Sequence, residues 1–381
     1  MSHAADRTGA PISTLALTKA WAERGDVDVK MLLRRDGPLR EEFGHTLGAE
    51  GVFLARPAPE EFGLLDAAAM AVSGQPEIAL KGLRNTHRPY VLSRKDKSRT
   101  AALRDVWTGW RPNAIYASTT HCGDAIEPLG LKAPILTHVR EMRGVIAALD
   151  KERRDFALNE SAAFAVVSGP VRETLIQDWH VDHDRIMVEP PAIDLEIVLN
   201  VSAETAPETS KPFIIGIGSL IPRKGPDLFL DAAKAATELG SDMNFIWLGD
   251  GEMRADLEAA TARLGLSDRV HWLGQVSNPY PYLKHAKALA LTSREDPHPR
   301  TMIEAAALGT PIVAFESSGG ADHFIPEHMA GALVQMADTG AMANALMSDE
   351  LPKADAAQIQ KRYDVKASAE RLLNQLKALT V

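Results

Sequence analysis

The residues with the most chemical potential sit in "SREDPHPRTMIEAAALGTPIVAF", Ser293 to Phe315, where Glu295, Asp296 and Glu304 crowd the entrance to a small-residue helix beside two prolines. The preceding "ALALTS" reads as a buried strand, so "REDPHP" lies at a strand's carboxyl end. Pro299 suits a first helical turn, because its missing N–H costs nothing there and its φ is already helical. The amides of Arg300, Thr301 and Met302 then point out of the helix start with partial positive charge, which favours phosphate. Glu304 follows one turn later as a polar group on an otherwise apolar helix. A second stretch, "FIIGIGSLIPRKGPDLFL", ends an apolar strand in Gly216-Ile217-Gly218 and presents Arg223-Lys224-Gly225 before a helix. Adjacent cations in a strand-to-helix turn suit a diphosphate. The Walker pattern is absent, and the Gly-x-Gly lacks the third glycine of a dinucleotide fingerprint. In "FIWLGDGEM" Gly249-Asp250-Gly251 gives a tight turn with room for a ligand, and helix capping is the favoured role for Asp250.

These turns need a frame of alternating strands and helices. Strands are expected at Val29–Leu33, Gly51–Leu54, Asn113–Ala117, Pro134–His138 and Phe164–Val167, then at Phe213–Ile217, Asn244–Leu248, Val270–Leu273, Ala288–Leu291 and Pro311–Phe315. Helices are expected between them, among them Ile12–Ala22, Val145–Leu158, Asp227–Glu238, Glu252–Leu264 and Thr301–Leu308, with Ala367–Leu379 closing the chain. This rhythm implies α/β architecture with parallel, doubly wound sheets. "VSAETAPETSKP" lacks periodicity and marks a linker. The expected division is 1–200, linker 201–212, 213–365, and a terminal helix at 366–381 that returns to the first domain. Two Rossmann-like domains would enclose a cleft, with the ligand beyond the strands' carboxyl ends. The start is anomalous: "MSHAADRTGAP" reads as loop where such a domain normally opens on a strand.

A net charge of −9 argues against nucleic-acid binding by bulk charge. Cys122 is the sole cysteine, which fits a reducing cytoplasm, and it is read as an inert thiol. No apolar run reaches membrane-spanning length, so a cytoplasmic location is expected, with peripheral attachment to the inner face of the membrane as an option. Lys81–Arg111 carries nine cations against Asp96 and Asp105, and Leu103, Val106, Trp107 and Trp110 fall at helical spacing within it. That pattern fits a membrane surface, but packing of the stripe on the protein's own core is favoured. "DVD" at 26–28 and "DHD" at 182–184 are read as coincidental acids, and the twelve histidines show no zinc spacing.

Taken together, "GIGSLIPRKGPDLF", "WLGDGEM", "DRVHWLGQV", "LTSREDPHPRTMIEAAALGTPIVAF", "SSGGADHFI" and "GALV" resemble, in order and spacing, the family 4 glycosyltransferases of the GT-B fold. The first half matches more loosely through "SHAADRTGAP", "AIYASTTHCG", "ILTHVREM" and "AFAVVSGPVRETL". The resemblance implies a retaining, metal-independent transfer of a sugar from a nucleotide-diphosphate donor, UDP- or GDP-linked, to a glycan or lipid-linked acceptor in cell-surface polysaccharide synthesis. No cofactor is implied beyond that substrate. Glu304 matches the acid that binds the ribose, and Asp296, not Glu295, the acid that contacts the donor sugar. Lys224 matches the diphosphate lysine. Ser219 stands where the family often carries the partner arginine, a charge that Arg223 supplies. Gly9 matches the first-domain loop glycine, the amides of Arg300 and Thr301 take the diphosphate, and Gly249 and Gly274 lie along the donor site. Arg140 stands where "THVREM" would usually carry a histidine, with His138 two residues earlier on the same strand face, so either could serve; His323 replaces a glutamate and His298 an aromatic. A GT-B nucleotide-sugar epimerase and a non-catalytic nucleotide-sugar binder are the alternative readings.

Overall fold

The computed structural model describes residues 1–55, 100–203 and 211–380. Residues 81–99 of the basic region and most of the expected linker fall outside them. By internal contacts the chain forms two units, Met1–Val139 with Ile146–Phe164 and Leu373–Val381, and Arg140–Val145 with Ala165–Leu372. This division does not fall at the linker. Residues 165–203 join the later residues because Ile193 exchanges backbone hydrogen bonds with Tyr363 and Val365, and because buried Glu189 accepts from Arg371 and Ser368.

The second unit is built on β7 (Phe213–Ile217), β8 (Asn244–Leu248), β9 (Val270–Gly274), β10 (Ala288–Leu291), β11 (Ile312–Phe315) and β12 (Gly331–Val334). All pair in parallel, in the order β12-β11-β10-β7-β8-β9. Alternation within each strand loads both faces. Phe213 and Ile215 pack with helices Arg300–Ala307 and Ala321–His328, while Ile214 and Trp247 pack with Pro226–Glu238 and Thr339–Met347. The order reverses between β7 and β10, and a parallel sheet opens its ligand crevice at such a point.

In the first unit, β1 (Met31–Leu33) pairs in parallel with β2 (Val52–Leu54), and β3 (Ile115–Ala117) with β4 (Ile135–Val139). The four-stranded sheet has the order β3-β4-β5-β6, with β5 at Ser161–Val166 and β6 at Ile186–Val188; β6 and the last two residues of β5 are counted with the second unit. The loop-like start turns out to be strand-like for two residues. Ser2 N–H donates to Leu32 O, Arg34 N–H to Ser2 O and Ser118 N–H to Met1 O, so Met1 and Ser2 bond to β1 on one side and β3 on the other. The single helix expected at Val145–Leu158 is two, Arg143–Ala147 and Lys151–Asn159, separated where Asp150 caps the second through Arg153 N–H at 3.0 Å. Residues 100–110 are helical. Trp107 is 6% exposed in a core cluster with Leu103 and Trp110 against it, so most of the apolar stripe packs within the unit. None of the described helices is long and apolar enough to cross a membrane.

Candidate active site

Because β7 and β10 are neighbours, the turns that follow them meet although 72 residues separate Lys224 from Asp296. After β7 the chain passes Gly218 and Ser219, forms a short 3-10 turn at Pro222–Lys224, and enters helix Pro226–Glu238 through Gly225. Gly225 is required: its φ is +64°, and a Cβ there would lie 2.0 Å from Thr292 O at the end of β10. Arg294 N–H donates to Arg223 O at 2.9 Å, which zips the two turns together.

Asp296 is 6% exposed and carries two cations. Lys224 Nζ donates to its Oδ2, and Arg223 Nη1 lies 3.7 Å from the same oxygen while donating to Glu295 O at 2.8 Å. The backbone of Asp296 is fixed by a bond to Ser318 O at 2.7 Å and one from Gly320 N–H at 3.0 Å. Asp322 shapes that facing turn by accepting from Ser317 and Gly319 amides at 2.8 and 3.3 Å. Glu304, also 6% exposed, accepts from Arg300 at 3.2 Å and from the Tyr280 hydroxyl at 3.4 Å. Burial first, and then the Glu304 charge, raises the Tyr280 pKa, so this phenol stays a donor.

Helix Arg300–Ala307 begins one residue past Pro299, which is its N-cap, and Met302 N–H turns back to Pro299 O at 3.2 Å. The expectation of three outward amides is corrected on that point; Arg300 and Thr301 remain the first two positions of the helix. On the other side, Gly249 N–H donates to Gly274 O at 2.7 Å. Gly249 has φ +130°, and a Cβ there would meet Gly218 O at 2.0 Å. Asp250 does not cap the next helix. It holds Arg254 Nε at 2.7 Å and the Gly251 amide at 2.8 Å, while Arg254 donates to Trp272 O at 3.1 Å, lacing the turns after β8 and β9. Ser219 is exposed beside this lacing.

Residues 200–362 match the family model described as "Glycosyl transferases group 1". The 2-deoxystreptamine glucosyltransferase of Streptomyces kanamyceticus is 27% identical over 217 residues, 54% of this chain and 54% of the relative. The lipopolysaccharide core biosynthesis glycosyltransferase LpsD of Rhizobium meliloti is 30% identical over 137 residues, 33% of this chain and 38% of the relative. The chain thus aligns with only 54% or less of the length of these curated relatives. Among solved structures, Anabaena HepE in complex with UDP gives a TM-score of 0.68 at 18% identity over 99% of both chains. Sucrose-phosphate synthase from Thermosynechococcus elongatus gives 0.71 at 17% identity over 100% of this chain and 99% of the other. These likenesses show the fold: two Rossmann-like α/β domains of the GT-B class.

Every turn described above lies within the group 1 segment, which brings together Arg223, Lys224, Asp296, Arg300, Thr301 and Glu304 at the carboxyl ends of β7 and β10. Tyr280 has no counterpart in the sequence reading; it is an aromatic in a short helix with no spacing that ties it to Glu304. His298 is relocated. Its imidazole packs edge-on to Phe324 at 5.8 Å and beside Tyr363 at 6.3 Å, with Nδ1 buried and without a hydrogen-bond partner. Desolvation lowers its pKa to about 4, so at neutral pH it packs here as an uncharged aromatic ring. His323 is exposed on helix Ala321–His328.

In the first unit His138 is wholly buried on β4, its Nδ1 2.7 Å from the Tyr116 hydroxyl, whose ring packs edge-on to it. β4 ends at Val139, so Arg140 does not continue the strand, and Glu141 accepts the Arg140 amide at 2.9 Å. Gly9 opens helix Gly9–Ala22. Cys122 is fully buried and its thiol pKa is raised by that burial. Among the described residues, Asp182, His183 and Asp184 are close enough together to share a cation, but all three are solvated in a surface turn.

Proposed function

We propose that the protein is a retaining glycosyltransferase that moves a sugar from a nucleotide-diphosphate donor, UDP-linked in the first instance, to a hydroxyl of a glycan or lipid-linked acceptor in cell-surface polysaccharide synthesis. The observation that carries this reading is the convergence of Arg223, Lys224 and Asp296 at the β7–β10 switch, one helical start away from Glu304. A group 1 family match over this region supports it, as do relatives named for sugar transfer and a UDP complex among the structural neighbours.

On this reading the diphosphate lies against Lys224, Arg223 and the first amides of helix Arg300–Ala307. Their positive charge stabilises the negative charge that grows on the leaving phosphate, a contribution worth about 3 kcal/mol per well-placed donor. The charge is met by side chains and amides, so no metal is required. Glu304, aimed by Arg300 and Tyr280, takes the ribose hydroxyls. Asp296 positions the sugar hydroxyls and does not attack the anomeric carbon. The acceptor attacks from the face the diphosphate leaves, and its proton passes to the departing phosphate oxygen. Gly249, Gly274 and Ser219 leave space along the donor, and Gly9 and His138 belong to the acceptor-side domain.

Calorimetry with UDP and GDP, followed by donor hydrolysis and transfer assays, tests the proposal. Glu304→Ala should abolish nucleotide binding, whereas Asp296→Ala should bind bare nucleotide and lose turnover. Undiminished turnover in Asp296→Ala would falsify the role given to that carboxylate. Binding without hydrolysis or transfer to any acceptor would favour a non-catalytic binder.

A further inference from the structure

In the second unit Arg254 is anchored on two of its three guanidinium nitrogens. Nε donates to Asp250 Oδ1 at 2.7 Å, and Nη1 donates to Glu258 Oε1 at 2.8 Å and to Trp272 O at 3.1 Å. Among the described residues, none accepts a hydrogen bond from Nη2. That nitrogen lies beside Gly274 at the carboxyl end of β9, where a Cβ would stand 3.1 Å from it and where φ is +77°. The Arg254 side chain is 27% exposed, so it is not sealed within the unit. Asp250 and Glu258 offset its charge, which makes the remaining N–H groups better suited to a neutral carbonyl oxygen than to a phosphate.

On the nucleotide-sugar reading, on which this inference rests, the anchors set the order of the ligand along the crevice. Asp296, which takes the sugar, is bonded through its backbone to Ser318 and Gly320 beyond β11. Lys224 takes the diphosphate between β7 and β10. Glu304 takes the ribose with the Tyr280 hydroxyl at 3.4 Å, and Tyr280 lies on the connection that leaves β9 at Gly274. The base, on the far side of the ribose from the diphosphate, is thereby directed toward the turns after β8 and β9. There Gly249 N–H meets Gly274 O at 2.7 Å, and there Arg254 presents Nη2. We propose that Arg254 determines base specificity, with Nη2 donating to a keto oxygen of the nucleobase, O4 of uracil or O6 of guanine. Cytosine and adenine carry an amino group at that place, which sets donor against donor and leaves the guanidinium edge unpaired. Three bonds fix the fork before a ligand arrives, so little side-chain freedom is lost in reading the base.

Calorimetry with UDP against CDP, and with GDP against ADP, tests this on the natural chain, Arg254→Lys and Arg254→Met, with thermal midpoints to confirm folding. The natural chain should bind the keto member of its preferred pair about tenfold or more tightly than the amino member. Both variants should bring that ratio toward one and leave affinity for the amino member nearly unchanged. A residue that only laces the two turns would weaken both members alike and preserve the ratio. That result, or equal binding of both members by the natural chain, would overturn the proposal. A further measurement needs no variant: the diphosphate of 2-pyrimidinone riboside, which lacks any group at C4, should bind the natural chain several-fold more weakly than UDP, and equal affinity would also overturn it. Nucleotide binding without base preference removes the role of Arg254 and leaves the donor reading standing, whereas binding of none of the four nucleotides overturns both.

Discussion

His298 offers a sharp test of how this fold handles the loop that carries Asp296. Its ring is enclosed by Phe324 and Tyr363, and His328, on the next turn of the Phe324 helix, engages the Tyr363 hydroxyl at 2.7 Å. Desolvation is the leading cause of its low pKa. Asp296 pulls in the opposite direction, and His328 and Arg362 add to the lowering. The unfolded chain therefore binds a proton near pH 6.5 that the native chain refuses until about pH 4. Where the unfolded state binds more protons, stability rises with pH, so this contribution is complete above pH 6.5 and is lost as pH falls toward 4. At about 1.4 kcal/mol per unit of displacement, the loss reaches about 2 kcal/mol at pH 5 and about 3 kcal/mol at pH 4. His298→Phe keeps an aromatic ring in the cluster and removes the titrating group. Urea unfolding at pH 7.5, 6.0 and 5.0 should show the variant gaining on the natural chain by about 2 kcal/mol between the first and last of these values, whatever its offset at pH 7.5. Parallel pH profiles for the two proteins would refute the argument, since His328 and the carboxylates titrate in both.

Three further outcomes follow from contacts already described. Gly249→Ala places a Cβ 2.0 Å from Gly218 O at φ +130°, so the turns after β7 and β8 must part; urea unfolding should show a loss of about 2 kcal/mol or more, and UDP affinity should fall with it. Arg371→Ala takes both guanidinium bonds from Glu189, 1% exposed, while the Ser368 hydroxyl at 2.8 Å stays. Because Arg371 is itself partly solvated, a cost of about 2 kcal/mol is expected rather than the about 3–5 kcal/mol of a fully buried pair, and adding Glu189→Gln should recover part of it. If side chains and amides alone meet the diphosphate, EDTA should leave donor turnover unchanged, and restoration of lost activity by a divalent ion would contradict that.

The strands of the second unit were legible wherever an apolar run was interior. β7, β8, β10 and β11 lie within a residue of the expected runs because both faces are buried, which imposes continuous hydrophobicity. β12 was not expected as a strand: its four residues are only half-buried at the sheet edge and carry a weak apolar signal. The break at Asp150 was missed for a different reason. Helical periodicity continues across it, and only the cap geometry shows that the helix restarts. At the site, residue types identified the cations and acids, but their pairing depends on strand order. Nothing in the local pattern places β10 beside β7, and without that neighbour Lys224 has no reason to meet a carboxylate 72 residues away. His298 shows the reverse limit: its chemical type was plain, but whether it acts as a titrating group or as an aromatic filler is decided by Phe324 and Tyr363, which lie in other elements.

The pairing also bears on how the proposed reaction would be ordered. In the structure Lys224 is held by Asp296, so a diphosphate reaching Lys224 competes with a carboxylate that is already desolvated. Such an exchange is unfavourable unless Asp296 gains other partners as it loses the ammonium, and sugar hydroxyls are donors of the right kind. A complete nucleotide sugar can supply both halves of the exchange, phosphate to Lys224 and hydroxyls to Asp296. A bare nucleotide diphosphate supplies only the first, with Arg223, 3.7 Å from the carboxylate, left to compensate. Lys224 and Asp296 would thus act as a coupled pair that favours the intact donor over the spent nucleotide, which assists product release after transfer.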